Sequence, residues 1–123
     1  MKSECLCAGG NVLIFACSGG SNVGQISNEA AMLLDEEGLG KFYCLAGIGG
    51  NIVKMVEPAR EAGKRVLIDG CPIGCGKTTL ERAGLKADCY VVVTELGVKK
   101  QHKFDLDKED IRRVVASVKA GLK

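Results

Sequence analysis

Four short apolar runs alternate along the chain with segments of helical periodicity, and this alternation limits the possible folds more than any other feature. Strands that alternate with single helices form parallel sheets through right-handed crossovers, with helices on both faces. The pattern therefore predicts a three-layer α/β domain, Rossmann-like or flavodoxin-like, with a four-stranded parallel sheet in the order 2-1-3-4. We expect the strands over residues 11–17, 41–46, 65–69 and 89–96, with a short helix over residues 74–84.

The other helical segments carry start or stop signals. Gly38 can end the first of them, whose apolar residues share one face. The second is expected over residues 51–63 with Asn51 as its N-cap, and Pro58 would kink or divide it. Asp107 is the expected N-cap of the last helix.

The length and composition favour a single domain with an aliphatic core. A chain of 123 residues can bury about two-thirds of its unfolded surface, which is enough for a core without disulfide bonds. Apolar residues make up 46% of the chain, but aromatic residues only 4%. We treat residues 1–10 as a short N-terminal extension and residues 11–123 as one α/β domain.

The charge pattern argues against nucleic acid and membrane partners. The net charge is +2, and the two signs are interspersed along the chain. We see no dense basic run joined to exposed aromatic residues, as a single-strand or RNA platform requires. The longest apolar runs have the length of strands and are too short to span a bilayer. We therefore expect a cytoplasmic protein.

The chain has seven cysteines, an odd number that does not suit a disulfide framework. In a reduced compartment, clustered cysteines serve more often as metal ligands or redox groups. Cys89 begins the last strand at the opposite edge of the sheet and is expected to be structural. Cys5 and Cys7 form a C-x-C pair that either binds metal or belongs to a terminus without function.

Three cysteines follow the predicted strands at one edge of the sheet. Cys17 ends the first strand, Cys71 follows the third, and Cys75 lies one turn further. In open α/β sheets, ligands bind outside the carboxyl ends of the strands, where the strand order reverses. The loops there are rich in glycine and lead into helix N-termini, whose free N–H groups favour thiolates and other anions. Cys44, inside the second predicted strand, could supply a fourth sulfur if the strands are staggered.

Such thiolates suit zinc, an iron–sulfur cluster or copper(I). Four thiolates make a closed zinc site, whereas three leave a position for water or substrate. Asp69 is a candidate acceptor that orients a ligand, with a loop-stabilising carboxylate as the alternative. His102, in a polar stretch, is either a solvated loop residue or a ligand. The segment Gly74–Thr79 imitates the end of a phosphate-binding P-loop, but Cys71 stands where the first glycine is required.

The segment from Ile68 to Cys75, which reads IDGCPIGC, resembles the DGC-domain family, as do the Cys-Ser-Gly string at residues 17–19 and the segments 44–50 and 97–100. The family is named after the triplet that is Asp69, Gly70 and Cys71 here, and it is described as holding zinc on four cysteines. The resemblance implies zinc ligation by Cys17, Cys44, Cys71 and Cys75. Gly20 stands where some relatives carry a further cysteine.

These observations leave three functional hypotheses. The leading one is a zinc-binding protein with its metal ion at the carboxyl ends of the strands and no assigned cellular role. The alternative is a thiol-dependent redox or transfer enzyme that uses Cys17, Cys71 or Cys75 as its nucleophile. The third is an interaction module in which the metal or thiol state controls a surface. The sequence identifies no protein partner and no reaction.

Overall fold

The computed structural model describes residues 11–123, which form a four-stranded, wholly parallel sheet in the order β2-β1-β3-β4. This confirms the predicted α/β class and strand order. The strands are β1 (Val12–Ala16), β2 (Lys41–Phe42), β3 (Lys64–Asp69) and β4 (Cys89–Val92). The helices are α1 (Asn22–Glu36), α2 (Leu45–Gly49), α3 (Val53–Arg60), α4 (Cys75–Arg82) and α5 (Lys108–Gly121), with a 3₁₀ turn at Val93–Leu96.

The two central strands, β1 and β3, are buried on both faces of the sheet. Their side chains alternate between two apolar clusters, as the pleat of a strand requires. Ile14 and Ile68 pack toward α1 and α5, whereas Phe15 and Leu67 pack toward α2, α3 and α4. The sheet is therefore the middle layer of three, and its strand ends are held rigidly from both sides.

The predicted end of α1 at Gly38 and the predicted start of α5 at Asp107 are confirmed. Ser21 caps α1 by accepting the Gly24 N–H, and Gly38 follows its end at φ 82°. Asp107 caps α5 by accepting the Glu109 N–H. Within residues 11–123, no helix is both long enough and apolar enough to cross a membrane.

The second strand is much shorter than predicted, because it ends at Phe42 rather than continuing to residue 46. Tyr43 donates its N–H to the Ile14 carbonyl, and the chain then turns into α2. Cys44 is therefore the N-cap residue of α2 and does not lie inside a strand. The reason is that β2 is an edge strand whose continuation is rich in glycine, which weakens strands.

The helix predicted over residues 51–63 is also wrong in its start. Asn51 adopts φ 56° and donates its N–H to the Ile48 carbonyl, so it terminates α2 instead of capping the next helix. Helix α3 begins at Val53 and contains Pro58 without a break. Because α3 spans only eight residues, it contains few backbone hydrogen bonds, and Pro58 removes one of them.

Candidate functional site

Cys17 and Cys71 lie just beyond the ends of the two central strands. Ala16 pairs with Ile68 in the sheet, and Cys17 extends this ladder by donating its N–H to the Ile68 carbonyl at 2.9 Å. Ser27 of α1 donates its hydroxyl to the Cys17 carbonyl. Both cysteines are half-buried. The fold thus places two thiols at the point where the strand order reverses, as ligand sites in open α/β sheets require.

The Asp69 side chain, only 1% exposed, organises the loop that carries Cys71. Its carboxylate accepts the Gly76 N–H at 2.8 Å, the Lys77 N–H at 3.0 Å and the Tyr90 hydroxyl at 2.8 Å. A buried carboxylate must find such partners, and here they come from the start of α4 and from β4. Burial raises the pKa of Tyr90 above its ordinary value, and the hydrogen bond to Asp69 adds to the shift.

Gly70 permits close packing between this loop and α1. A Cβ atom at this position would lie 2.9 Å from both the Gly24 nitrogen and the Val23 carbonyl carbon. Thr94 also donates its N–H to the Gly70 carbonyl at 3.2 Å. The first two residues of the Asp-Gly-Cys triplet therefore have structural roles, and they fix the position of the third.

The N-terminus of α4 is already occupied by an anion, because the Asp69 carboxylate binds the first N–H groups of that helix. A P-loop presents the N–H groups at this place to phosphate. Gly76 is needed here, since a Cβ atom at that position would lie 2.7 Å from Asp69 Oδ1. These two N–H groups are therefore not free to bind a nucleotide phosphate, although the sequence there imitates a P-loop.

The N-terminus of α1 is closed as well, by the segment that follows β4. Asn22 donates its N–H to the Gln101 carbonyl and its side-chain amide to the Lys99 carbonyl, both at 2.9 Å, and it accepts the Gln101 N–H at 2.6 Å. His102 Nδ1 lies 2.9 Å from the Gly20 carbonyl oxygen. The free N–H groups expected at this helix start are thus used within the protein.

Lys100 is a site residue that the sequence reasoning missed. Its Nζ lies 3.4 Å from Cys71 Sγ, which makes it the polar neighbour of this thiol. The contact depends on the Asn22 pairing, because that pairing holds the backbone on both sides of Lys100. Two adjacent lysines in a polar stretch give no local signal for such a contact.

Cys44 and Cys75 are both exposed, at the starts of α2 and α4. Cys44 lines a cavity of about 540 Å³. Cys71, in contrast, packs at the edge of the apolar cluster beneath α1 and α5. In the part of the chain that the structure describes, no three His, Cys, Asp or Glu side chains come close enough to form a metal site. The donor atoms fit zinc in their chemistry, but they do not form a preassembled set.

The other predicted cysteines lie away from this edge or outside the description. Cys89 is buried at the start of β4, and a Cβ atom at Gly121 would lie 2.8 Å from its sulfur. Burial raises the pKa of the Cys89 thiol. Cys5 and Cys7 precede the described residues, so their predicted alternatives stay open.

The comparisons with known proteins agree with the resemblance noted in the sequence. The chain matches the DGC domain over residues 13–118. Over 102 residues it is 36% identical to the Anaerobic and virulence modulator AnvM of Pseudomonas aeruginosa, an alignment that covers 83% of this chain and 78% of that protein. No solved structure matches the chain significantly. The match includes all the residues around Asp69 and Cys71, and the chain therefore belongs to the DGC-domain family.

Proposed function

We propose that this protein binds a zinc ion through the thiolates of Cys17, Cys44, Cys71 and Cys75 at the carboxyl edge of the sheet. The supporting observation is the position of Cys17 and Cys71 directly beyond two hydrogen-bonded parallel strands. Thiolates are soft ligands that suit zinc, and four of them form a closed tetrahedral site.

The backbone around the central pair is held in place by hydrogen bonds. The Cys17 peptide is engaged at its N–H by Ile68 and at its carbonyl by Ser27, and the Cys71 carbonyl accepts the Gly74 N–H at 3.1 Å. A frame of this kind lowers the entropic cost of gathering ligands around an ion. It supports Cys17 and Cys71 as the first two ligands.

Cys44 and Cys75 would complete the coordination by turning toward the central pair. Both side chains are exposed, so a change of rotamer disrupts little packing. With all four thiolates the metal has a structural or sensing role, whereas loss of Cys44 leaves a position for water or substrate. The similar protein AnvM is named as a modulator, and this favours a sensing role over catalysis.

Metal analysis after anaerobic purification tests the proposal. The wild-type protein should carry about one equivalent of zinc per chain, since one tetrahedral site uses all four thiolates. Cys71→Ser should reduce the zinc content strongly, and Cys89→Ala, which removes a thiol at the opposite edge of the sheet, should retain it. Traces of metal in the wild type, unchanged by Cys71→Ser, would contradict zinc binding.

The Lys100–Cys71 contact favours a second candidate, a thiol-dependent redox or transfer enzyme with Cys17, Cys71 or Cys75 as nucleophile. In this case the Lys100 ammonium group is the partner of the reacting sulfur. Brief alkylation at mildly acidic pH, followed by mass mapping, distinguishes the candidates. One cysteine that reacts much faster than the others supports an enzyme, and uniformly slow cysteines argue against it.

A further inference from the structure

Two cavities adjoin each other at helices α2 and α4, and the larger one extends along the carboxyl edge of the sheet to Asn28 of α1. The larger, of about 540 Å³, opens at Cys44, and the smaller, of about 300 Å³, ends at Arg82. Gly49 and Thr79 line both cavities, which therefore meet at these two residues. We call the two adjoining cavities the α2/α4 groove.

The Arg82 end of the groove has the chemistry of an anion site. Arg82, Asn51 and Thr78 provide a guanidinium group, a carboxamide and a hydroxyl group to its lining. Neither cavity is lined by an Asp or Glu side chain. Within residues 11–123, Arg82 also forms no salt bridge, unlike Arg60 and Arg112, which pair with glutamates on their own helices. An arginine fork without a carboxylate partner suits a carboxylate or phosphate group.

The Cys44 end is less polar and carries a nucleophile. Phe42 and Leu45 provide apolar walls, and Ser18 and Cys44 provide a hydroxyl and a thiol group. The junction between the two ends is narrow, because a Cβ atom at Gly49 would already touch Thr79 Cγ2 at 3.4 Å. The groove therefore suits an elongated ligand with a charged end and an apolar body.

We propose that the α2/α4 groove binds a small organic anion, with its carboxylate or phosphate group at Arg82 and its body directed toward Cys44. This site is separate from the zinc site proposed above and shares only Cys44 with it. A ligand bound in the groove would lie directly beside one of the four proposed metal ligands, and it would thereby link small-molecule binding to the state of the thiol site.

A matched pair of thiol reagents tests the proposal on the full chain after removal of bound metal with a chelator. Maleimidohexanoic acid carries a carboxylate at the far end of its alkyl chain, and its primary amide has the same size without the charge. The acid should label Cys44 roughly three- to fivefold faster than the amide, the scale of a partly exposed ion pair. The exposed Cys75 serves as the internal reference, since the ratio of the two rates there reports general electrostatics.

Arg82→Gln should abolish the preference for the acid at Cys44, whereas Arg112→Gln, on the opposite face of the protein, should retain it. Gly49→Leu should slow the acid by blocking the junction, and circular dichroism shows whether this variant is folded. Equal rates for the two reagents in the wild type, or a preference that survives Arg82→Gln, would overturn the proposal. An unchanged zinc content of Arg82→Gln separates this outcome from any failure of the zinc site.

Discussion

The Asp69 carboxylate lies 2.8 Å from the Gly76 N–H, and this bond joins the end of the central strand β3 to the start of helix α4. The six residues between them include both Cys71 and Cys75, so that carboxylate closes the loop that carries the two cysteines. The geometry of the candidate site therefore depends on a side chain that need not contact any ligand.

Replacement of Asp69 by asparagine should destabilise the fold. An asparagine can satisfy only part of the carboxylate's role, because its NH₂ group would face donors such as the Lys77 N–H or the Tyr90 hydroxyl. We expect a loss of about 1–3 kcal/mol in the free energy of unfolding, as for buried hydrogen bonds to a charged group. Urea unfolding measures it, and a loss of a few tenths or less would mean that the loop is held by other contacts.

Gly70→Ala should be costly, whereas Gly20→Ala should be nearly neutral. The added methyl group at position 70 would approach the backbone of Gly24 and Val23 at 2.9 Å, and a backbone cannot move aside as a side chain can. At position 20, nothing lies within 4 Å of the new atom. We expect a difference of about 1–3 kcal/mol between the two variants by thermal or urea unfolding. Equal stabilities would show that the loop does not pack on α1 as described.

Tyr90→Phe should reduce stability at neutral pH by about 1 kcal/mol, because it removes the hydroxyl that donates to Asp69. The pKa of Tyr90 is raised in the folded protein, so folding favours the protonated phenol. This contribution is complete below the ordinary pKa of 10.0 and is lost as the pH rises through the folded-state value. The difference in unfolding free energy between wild type and variant should therefore shrink as the pH rises above 10.0. A difference that grows there would contradict the assignment.

Asn22→Ala should loosen the segment that carries Lys100. The change removes the side-chain bonds to the Lys99 carbonyl and the Gln101 N–H, and it leaves only the backbone bond from the N–H of residue 22 to the Gln101 carbonyl. Hydrogen exchange at the Gln101 amide should accelerate about tenfold, which corresponds to a local loss of about 1.4 kcal/mol. Asn28→Ala is the control, because among residues 11–123 the Asn28 side chain bonds the exposed Ser18 hydroxyl and no residue of the Lys100 segment. Equal exchange in both variants would argue against the Asn22 pairing.

The sheet could be predicted because its central strands are continuous apolar runs. Ile14 points to one helical layer, and Leu13 and Phe15 point to the other. A continuous apolar run of this kind is typical of a parallel strand that is buried on both faces. The end of β2 could not be located in the same way. After Phe42 the chain is still apolar, and only the edge position of the strand and its glycines make it turn into α2.

The candidate site was predictable in its position but not in its contacts. The rule on strand ends correctly places Cys17 and Cys71 at one edge, since it depends only on the strand order. Asn22 bonds Lys99, which is 77 positions away in the sequence, and Lys100 contacts Cys71, which is 29 positions away. Both contacts depend on how a loop without periodicity crosses the edge of the sheet. A polar loop leaves no pattern in the sequence from which such a path can be inferred.

The pairing of β1 with β3 also determines when the thiol pair can exist. These strands are separated in sequence by α1, β2, α2 and α3, so their contact forms only after all four elements have left the ribosome. Pairings between distant segments form late, because the loop-closure entropy must be overcome first. Until β3 arrives, Cys17 therefore has no Cys71 beside it, and its thiol is open to oxidation or to a wrong partner such as Cys44, which is synthesised earlier than Cys71.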